Sequence, residues 1–176
     1  MLVKEVLREG DLAIDATAGN GHDSAFLAEC VGASGRVIAF DIQPDAIDQA
    51  RRHVTACGFA DRVEFHQESH TNIPVHASPG TVAAVMFNLG YLPGGDHSIA
   101  TESPQTLIAI DQAVEVLKPG GLISIVCYPG HAAGAGEAEA VEDKVTSLTE
   151  VGWRVAAYKM CGTHKPSPFL MLACKP

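Results

Sequence analysis

Nine consecutive residues constrain this chain more than any others: Asp15-Ala16-Thr17-Ala18-Gly19-Asn20-Gly21-His22-Asp23. They follow a short apolar run, Leu12-Ala13-Ile14, which reads as a buried strand. They precede Ala25-Phe26-Leu27-Ala28, which reads as a helix. A strand, a glycine turn and a helix make the opening unit of a nucleotide-binding α/β fold. Gly19 and Gly21 permit a tight turn and let a flat ligand come close to the backbone.

The glycines do not choose the ligand, but the charges narrow it. A dinucleotide fingerprint wants a third glycine three residues after Gly21, where this chain has Ser24. Asp15 closes the strand and Asp23 falls in the first helical turn. A pyrophosphate there would meet two carboxylates where it normally finds amide N–H groups and the positive end of a helix dipole. A ligand carrying an ammonium and a sulfonium, and no phosphate, is attracted instead. S-adenosylmethionine is such a ligand. The plain alternative for Asp23 is a helix cap.

The chain has 176 residues, 47% of them apolar, which fits one domain, residues 1–176, with a sizeable core. Strands are expected at 12–16, 36–41, 62–66, 81–87, 122–127, 153–160 and 169–174. Helices are expected at 22–31, from Pro44 to about Gly58, at 103–117 and at 137–151. Lys118-Pro119-Gly120-Gly121 reads as a sharp turn before the fifth strand. Strands alternate with helices until the last two, which adjoin. That order predicts a doubly wound, seven-stranded, mainly parallel sheet with an antiparallel hairpin at one edge that includes the C-terminal strand.

Ligands of such sheets sit beyond the carboxyl ends of the strands. The polar and glycine-rich loops after the first five strands all belong to that face. Asp41 stands twenty residues after Gly21, at the end of the second strand, where a carboxylate accepts hydrogen bonds from ribose hydroxyls. Gln43 reaches the same adenosine, and Ser69 and His70 border the adenine or the methionine end. Asn88-Leu89-Gly90-Tyr91 follows the fourth strand and faces the group to be transferred. Displacement at a sulfonium needs donor and acceptor held in line more than it needs a strong base. Asn88 is a candidate to orient an amine, and Tyr91, His97 and His131 are candidate proton acceptors. His66 and His70 lack H-E-x-x-H spacing and straddle a strand end, so no metal is expected there. Cys127 has no sign of an activated nucleophile. The five cysteines, odd in number and without C-x-x-C spacing, read as reduced thiols of a cytoplasmic protein.

The formal net charge is −9, which weighs against nonspecific nucleic-acid binding. The charge is unevenly spread. Residues 151–176 hold Arg154, Lys159, Lys165 and Lys175 and no acid, a basic tail that could meet phosphates or line a solvated edge. No run is long enough for a membrane span, and the N-terminus does not have the pattern of a signal segment.

Four stretches carry a resemblance: Asp15 to Asp23, Phe40-Asp41-Ile42-Gln43, Phe87-Asn88-Leu89-Gly90-Tyr91-Leu92-Pro93-Gly94-Gly95-Asp96 and Tyr128-Pro129-Gly130-His131. Together they resemble a small bacterial family of class I methyltransferases labelled rRNA methylases, with a Rossmann-like fold. Members are associated with methylating the aminomethyl group of the wobble uridine in tRNA. The resemblance implies S-adenosylmethionine held by positions matching Asn20, Asp23, Asp41, Gln43, Ser69 and His70, a homodimer, and a tRNA anticodon loop as substrate. The residues themselves add Asp15, Thr17, Gly19, Gly21 and Asn88 to the cofactor side. Two segments depart from the family pattern: Ala132-Ala133-Gly134 after His131, and the C-terminal turn Lys165-Pro166-Ser167-Pro168-Phe169. Three other readings stay open: a methyltransferase for a small molecule, a nicotinamide-dependent oxidoreductase, and a nucleoside-binding module without catalysis.

Overall fold

The structure is a computed structural model that describes residues 2–90, 101, 103–130, 134–162 and 166–176. Its strands are β1 (Leu12–Asp15), β2 (Arg36–Phe40), β3 (Val63–His66), β4 (Val82–Asn88), β5 (Leu117–Cys127), β6 (Arg154–Tyr158) and β7 (Phe169–Cys174). Its helices are α1 (Leu2–Val6), α2 (His22–Val31), α3 (Pro44–Ala56), α4 (Ile73–His76), α5 (Ser103–Val116) and α6 (Gly134–Ser147). The seven strands lie in the order β3-β2-β1-β4-β5-β7-β6. β1 to β5 pair in parallel, and β7 runs antiparallel to both β5 and β6. The expected doubly wound sheet is therefore the fold, with the order reversing between β1 and β4.

Period-two alternation divides the sheet into two unequal faces. Ala13, Val37, Ala39 and Ala84 face α1 to α3, beside Leu27, Val31, Ala50 and Val54. Ile14, Ile38, Phe40, Val85 and Phe87 face α4 to α6, beside Ile73, Ile110, Val141 and Val145. Small side chains on the first face bring α2 and α3 close to the strands. Larger ones on the second face fill the space beneath α5 and α6.

The turn at 118–121 is present, though it sits inside β5. Val82 pairs with Leu117 and Ala84 with Leu122, so four residues loop out opposite one. Gly120 takes φ +75° there. Lys175 secures the excursion from the C-terminal end. Its Nζ donates to the carbonyls of Val114 (2.8 Å) and Leu117 (2.7 Å), closing the last turn of α5. Lys159 donates to both oxygens of Glu142 at 2.6 Å. Arg154 donates to the Cys174 Sγ at 3.3 Å, so three of the four basic residues of the tail are engaged within the chain itself, one of them capping a helix. Lys165 lies outside the described residues.

Candidate functional site

The chain leaving β1 is stitched to both neighbouring strands. The Ala16 N–H donates to the Met86 carbonyl on β4, and the Ala18 N–H to the Phe40 carbonyl on β2, both at 2.8 Å. The loop therefore lies astride the carboxyl ends of three strands, at the point where the strand order turns. Gly19 and Gly21 both have positive φ, +49° and +83°. At Gly21 a second constraint applies: an added Cβ would stand 2.6 Å from the Ala50 Cα and 2.9 Å from its carbonyl oxygen. The close approach that requires this glycine is to α3, and it sets how tightly α2 and α3 pack.

Asp41 ties the glycine loop to the loop after β2. Its Oδ2 accepts from the Gly19 N–H and its Oδ1 from the Gln43 N–H, each at 2.9 Å. Each carboxylate oxygen keeps a lone pair for another donor. Ile42, next in sequence, is 55% exposed, an apolar surface beside a carboxylate that suits a flat ring above a ribose. An apolar residue in a polar loop was the sequence signal for it.

On the β4 side, Thr17, Asp23 and Asn88 come together. The Asn88 N–H donates to the Thr17 hydroxyl at 2.7 Å, and the Asn88 side-chain amide donates to the Asp23 carboxylate. Asp23 thus puts negative charge at the start of α2 and is oriented by the end of β4. It makes no hydrogen bond as a cap to its own helix among those described.

Asp15 was expected on the ligand side, and the structure places it underneath. It is fully buried. Its Oδ2 accepts from the Ser24 hydroxyl at 2.6 Å and its Oδ1 from the Thr17 N–H at 3.2 Å. Burial pushes its pKa up to about 7, with the Ser24 hydrogen bond pulling the other way and the nearby Asp23 charge adding to the rise. Asp15 shapes the loop from below.

Two buried polar atoms border the loop without a hydrogen-bond partner among the described residues: Asn20 Oδ1 and His70 Nε2. His70 lies on a 3₁₀ turn, His70–Asn72, capped by Ser69, whose Oγ accepts from the Thr71 N–H at 3.2 Å. His70 Nδ1 lies 3.2 Å from the Ala16 carbonyl, which can only accept, so the ring donates from Nδ1 and Nε2 is left as an acceptor. Burial holds the His70 pKa below the usual imidazole value, keeping that lone pair free at neutral pH. Orphaned buried acceptors cost free energy unless something donates to them. A ligand with amine or ammonium donors fits Asn20 and His70, and its ribose fits Asp41.

A further network was missed by the sequence reading. Glu137, buried on α6, accepts from the hydroxyls of Thr101 and Thr106, each at 2.7 Å. Thr101 exchanges hydrogen bonds with Gly90: its N–H donates to the Gly90 carbonyl at 2.9 Å, and its Oγ1 accepts from the Gly90 N–H at 2.8 Å. Glu137 therefore pins both ends of the loop between β4 and α5. The signal was periodicity, since Gly134, Glu137, Ala138, Val141 and Val145 share the buried face of α6. Tyr91, His97 and His131 lie outside the described residues. Cys127 is buried beneath this network, and burial pushes its thiol up to about 12, which leaves it unreactive.

With the geometry in place, comparison with known proteins is informative. Residues 37–174 match the family model described as "Putative rRNA methylase". The chain belongs to this family. It is 39% identical over 166 residues to the chloroplastic tRNA (mnm(5)s(2)U34)-methyltransferase of Arabidopsis thaliana, covering 89% of this chain and 61% of that protein. The chain thus spans less than two thirds of that relative. It superposes on a "putative rRNA-methylase" from Clostridium thermocellum with a TM-score of 0.94 at 39% identity, covering 99% of this chain and 94% of the other. It superposes on a "putative methyltransferase" from Streptococcus mutans in complex with SAH with a TM-score of 0.89 at 32% identity, covering 99% and 93%. The sheet is thus the Rossmann-like sheet of these methylases.

Proposed function

We propose that this rRNA methylase family member is an S-adenosylmethionine-dependent methyltransferase that modifies RNA, with an exocyclic amine, the aminomethyl group of a tRNA wobble uridine, as acceptor. The observation that carries the cofactor is the group of acceptors left unmet among the described residues at the carboxyl ends of β1, β2 and β3: Asn20 Oδ1, His70 Nε2 and the free lone pairs of Asp41. S-adenosylmethionine supplies an ammonium, an adenine and a ribose diol to such groups. Its sulfonium supplies the methyl group. The SAH complex of the Streptococcus mutans relative supports the same choice. Family membership supports RNA as the acceptor class, and the Arabidopsis relative, by its name, supports the wobble uridine.

The chain's own residues then do three things. Asp41 and Ile42 hold the adenosine, by hydrogen bonds to the ribose and by an apolar face. Asn20, Asp23 and His70 fix the polar end. Asn88, oriented by Asp23 and Thr17, stands where an incoming amine is held in line with the methyl group. The amine loses its proton after or during attack, and Tyr91, His97 and His131 are the candidates to take it. The acceptor loop is that of a tRNA anticodon, and the active form is a homodimer.

Thermal stabilisation by S-adenosylmethionine and SAH, with none by NAD, is the expected result for the cofactor. The opposite order would make the chain a nicotinamide enzyme. For the acceptor side, Asn88→Ala should lower methyl transfer to tRNA at least tenfold while changing SAH affinity less than threefold. An equal fall in both would make Asn88 a scaffold residue.

A further inference from the structure

Glu64 and His66 lie two residues apart on β3 and so share one face of an edge strand. His76 ends α4, which is anchored by the fully buried Ile73. The imidazole rings of His66 and His76 approach to 3.8 Å between centroids, over Phe40, whose ring centroid is 5.5 Å from one and 5.4 Å from the other. One ligand atom from each of Glu64, His66 and His76 lies within 4.8 Å of the other two. Glu68 completes the surroundings: its Oε1 is 2.7 Å from His76 Nε2 and 3.5 Å from His66 Nδ1, and its Oε2 accepts from the Asn72 amide.

The hydrogen-bond inventory does not close. His66 faces Glu64 with Nε2, at 3.1 Å, and Glu68 with Nδ1. A neutral imidazole has one N–H and can donate to one of them only. Its other nitrogen then turns a lone pair toward a carboxylate. Nε2 is the buried atom left without a well-formed hydrogen bond. A second proton on the ring removes the conflict, and so does a cation bound at Nε2. Nδ1–H then donates to Glu68, the carboxylate–histidine–metal arrangement that orients ligating rings.

We propose that Glu64, His66 and His76 form a binding site for a divalent cation of borderline character, with Zn²⁺ as the best match to two imidazoles and one carboxylate. Ligands of a tetrahedral Zn²⁺ stand roughly 3.4 Å apart, from metal–ligand distances of about 2.0–2.1 Å. The side chains reach that spacing by small rotations. Three protein ligands leave a fourth position for water. The expectation that His66 and His70 share no metal is a separate matter, because His70 turns to Ala16 while the partner of His66 comes ten residues later, from α4. The site bears on the cofactor wall, since the Asp41 N–H donates to the His66 carbonyl at 3.2 Å. The proposal stands independently of the methyl-transfer reading.

The test is titration of Zn²⁺ into the tag-free full chain against a chromogenic chelator, with thermal denaturation measured in parallel. One equivalent should bind and raise Tm. His66→Ala/His76→Ala should lose both effects. Glu64→Gln, at a half-exposed side chain that Phe40 packing does not need, should fold as wild type and bind at least tenfold more weakly. Absence of one-equivalent binding would leave the cluster as a hydrogen-bonded pair of imidazoles and overturn the proposal. Binding that survives in the double variant would place the metal elsewhere, for instance at His53 and Cys57, whose Nε2 and Sγ are 3.8 Å apart, and would overturn it equally.

Discussion

Asp15 carries a carboxyl group into full burial, and this has a consequence for stability that pH can read. Its pKa is raised by burial from an ordinary 3.8 to about 7. Between those values the folded chain holds a proton that the unfolded chain has lost. Its contribution is fully present below pH 4, declines as pH rises, and is gone above about pH 7. Asp15→Asn keeps the shape and removes the titration. Wild type minus variant stability should therefore fall by a few kcal/mol between pH 5 and pH 8. Denaturant unfolding at both values measures it, and a constant difference would mean that Asp15 is charged throughout. The comparison cancels His70, whose depressed pKa works in the opposite direction below about pH 6.5. Asp41 makes a different prediction. Asp41→Ala should weaken SAH binding by about 2 kcal/mol, through lost charge-assisted hydrogen bonds, as read by calorimetry. Unchanged affinity would remove Asp41 from the site. The sequence distinguished these two carboxylates only in part. Position at a strand end marked both as important, and position says nothing of which way a side chain turns. Ser24 and the Thr17 amide turn Asp15 inward. Asp41 sits at the rim because Gly19 and Gln43 bring their amides to it.

Among the elements, α2 and α3 depend on one glycine. Gly21→Ala combines a strained backbone with a collision against Ala50, and should cost at least about 2 kcal/mol of stability. A loss under about 0.5 kcal/mol would show that α3 can move away. The loop between β4 and α5 depends on Glu137 in the same sense. Glu137→Ala leaves two hydroxyls without their acceptor and should cost about 2 kcal/mol, with Glu137→Gln costing less, since the amide oxygen still accepts from one threonine. The strands and helices themselves were legible. α2 and β7 have the bounds that periodicity and turn residues predict, because apolar runs and glycine stops are local signals. Contacts such as Glu137 with Thr101 join residues thirty-six apart, and no local pattern encodes them. The pairing of His66 with His76 escaped for the same reason: it joins a strand to a short helix whose orientation depends on where Ile73 is buried.

At the scale of the molecule, the proposed RNA acceptor has to be reconciled with an acidic body, and three arginines gathered on one face offer a way. Arg36, Arg51 and Arg62 line a groove of about 360 Å³ beside β3, with Asp61 and Glu64 at its margin. Arg51 lies over Phe65 and Arg62 over Phe59, at 5.2 and 4.8 Å from the ring centroids. Arg36 also pairs with Glu64 at 3.6 Å and Arg62 donates to the Ala28 carbonyl at 3.1 Å, while the tail places Lys175 on α5 and pairs Lys159 with Glu142. If phosphates follow the groove, Arg36→Glu/Arg51→Glu should weaken tRNA binding several-fold at low salt, flatten its salt dependence and leave SAH affinity unchanged. Equal binding by the variant would place the phosphates elsewhere. Among the described residues no helix is long and apolar enough to cross a membrane. Methyl transfer to RNA is read most directly with methyl-labelled S-adenosylmethionine and separate tRNA, rRNA and small-metabolite fractions, followed by nucleoside mass analysis. Label is expected in tRNA, on a uridine carrying an aminomethyl group at the wobble position. Label confined to rRNA or to the metabolites would contradict the proposed acceptor, and label in no fraction despite tight SAH binding would contradict the enzyme.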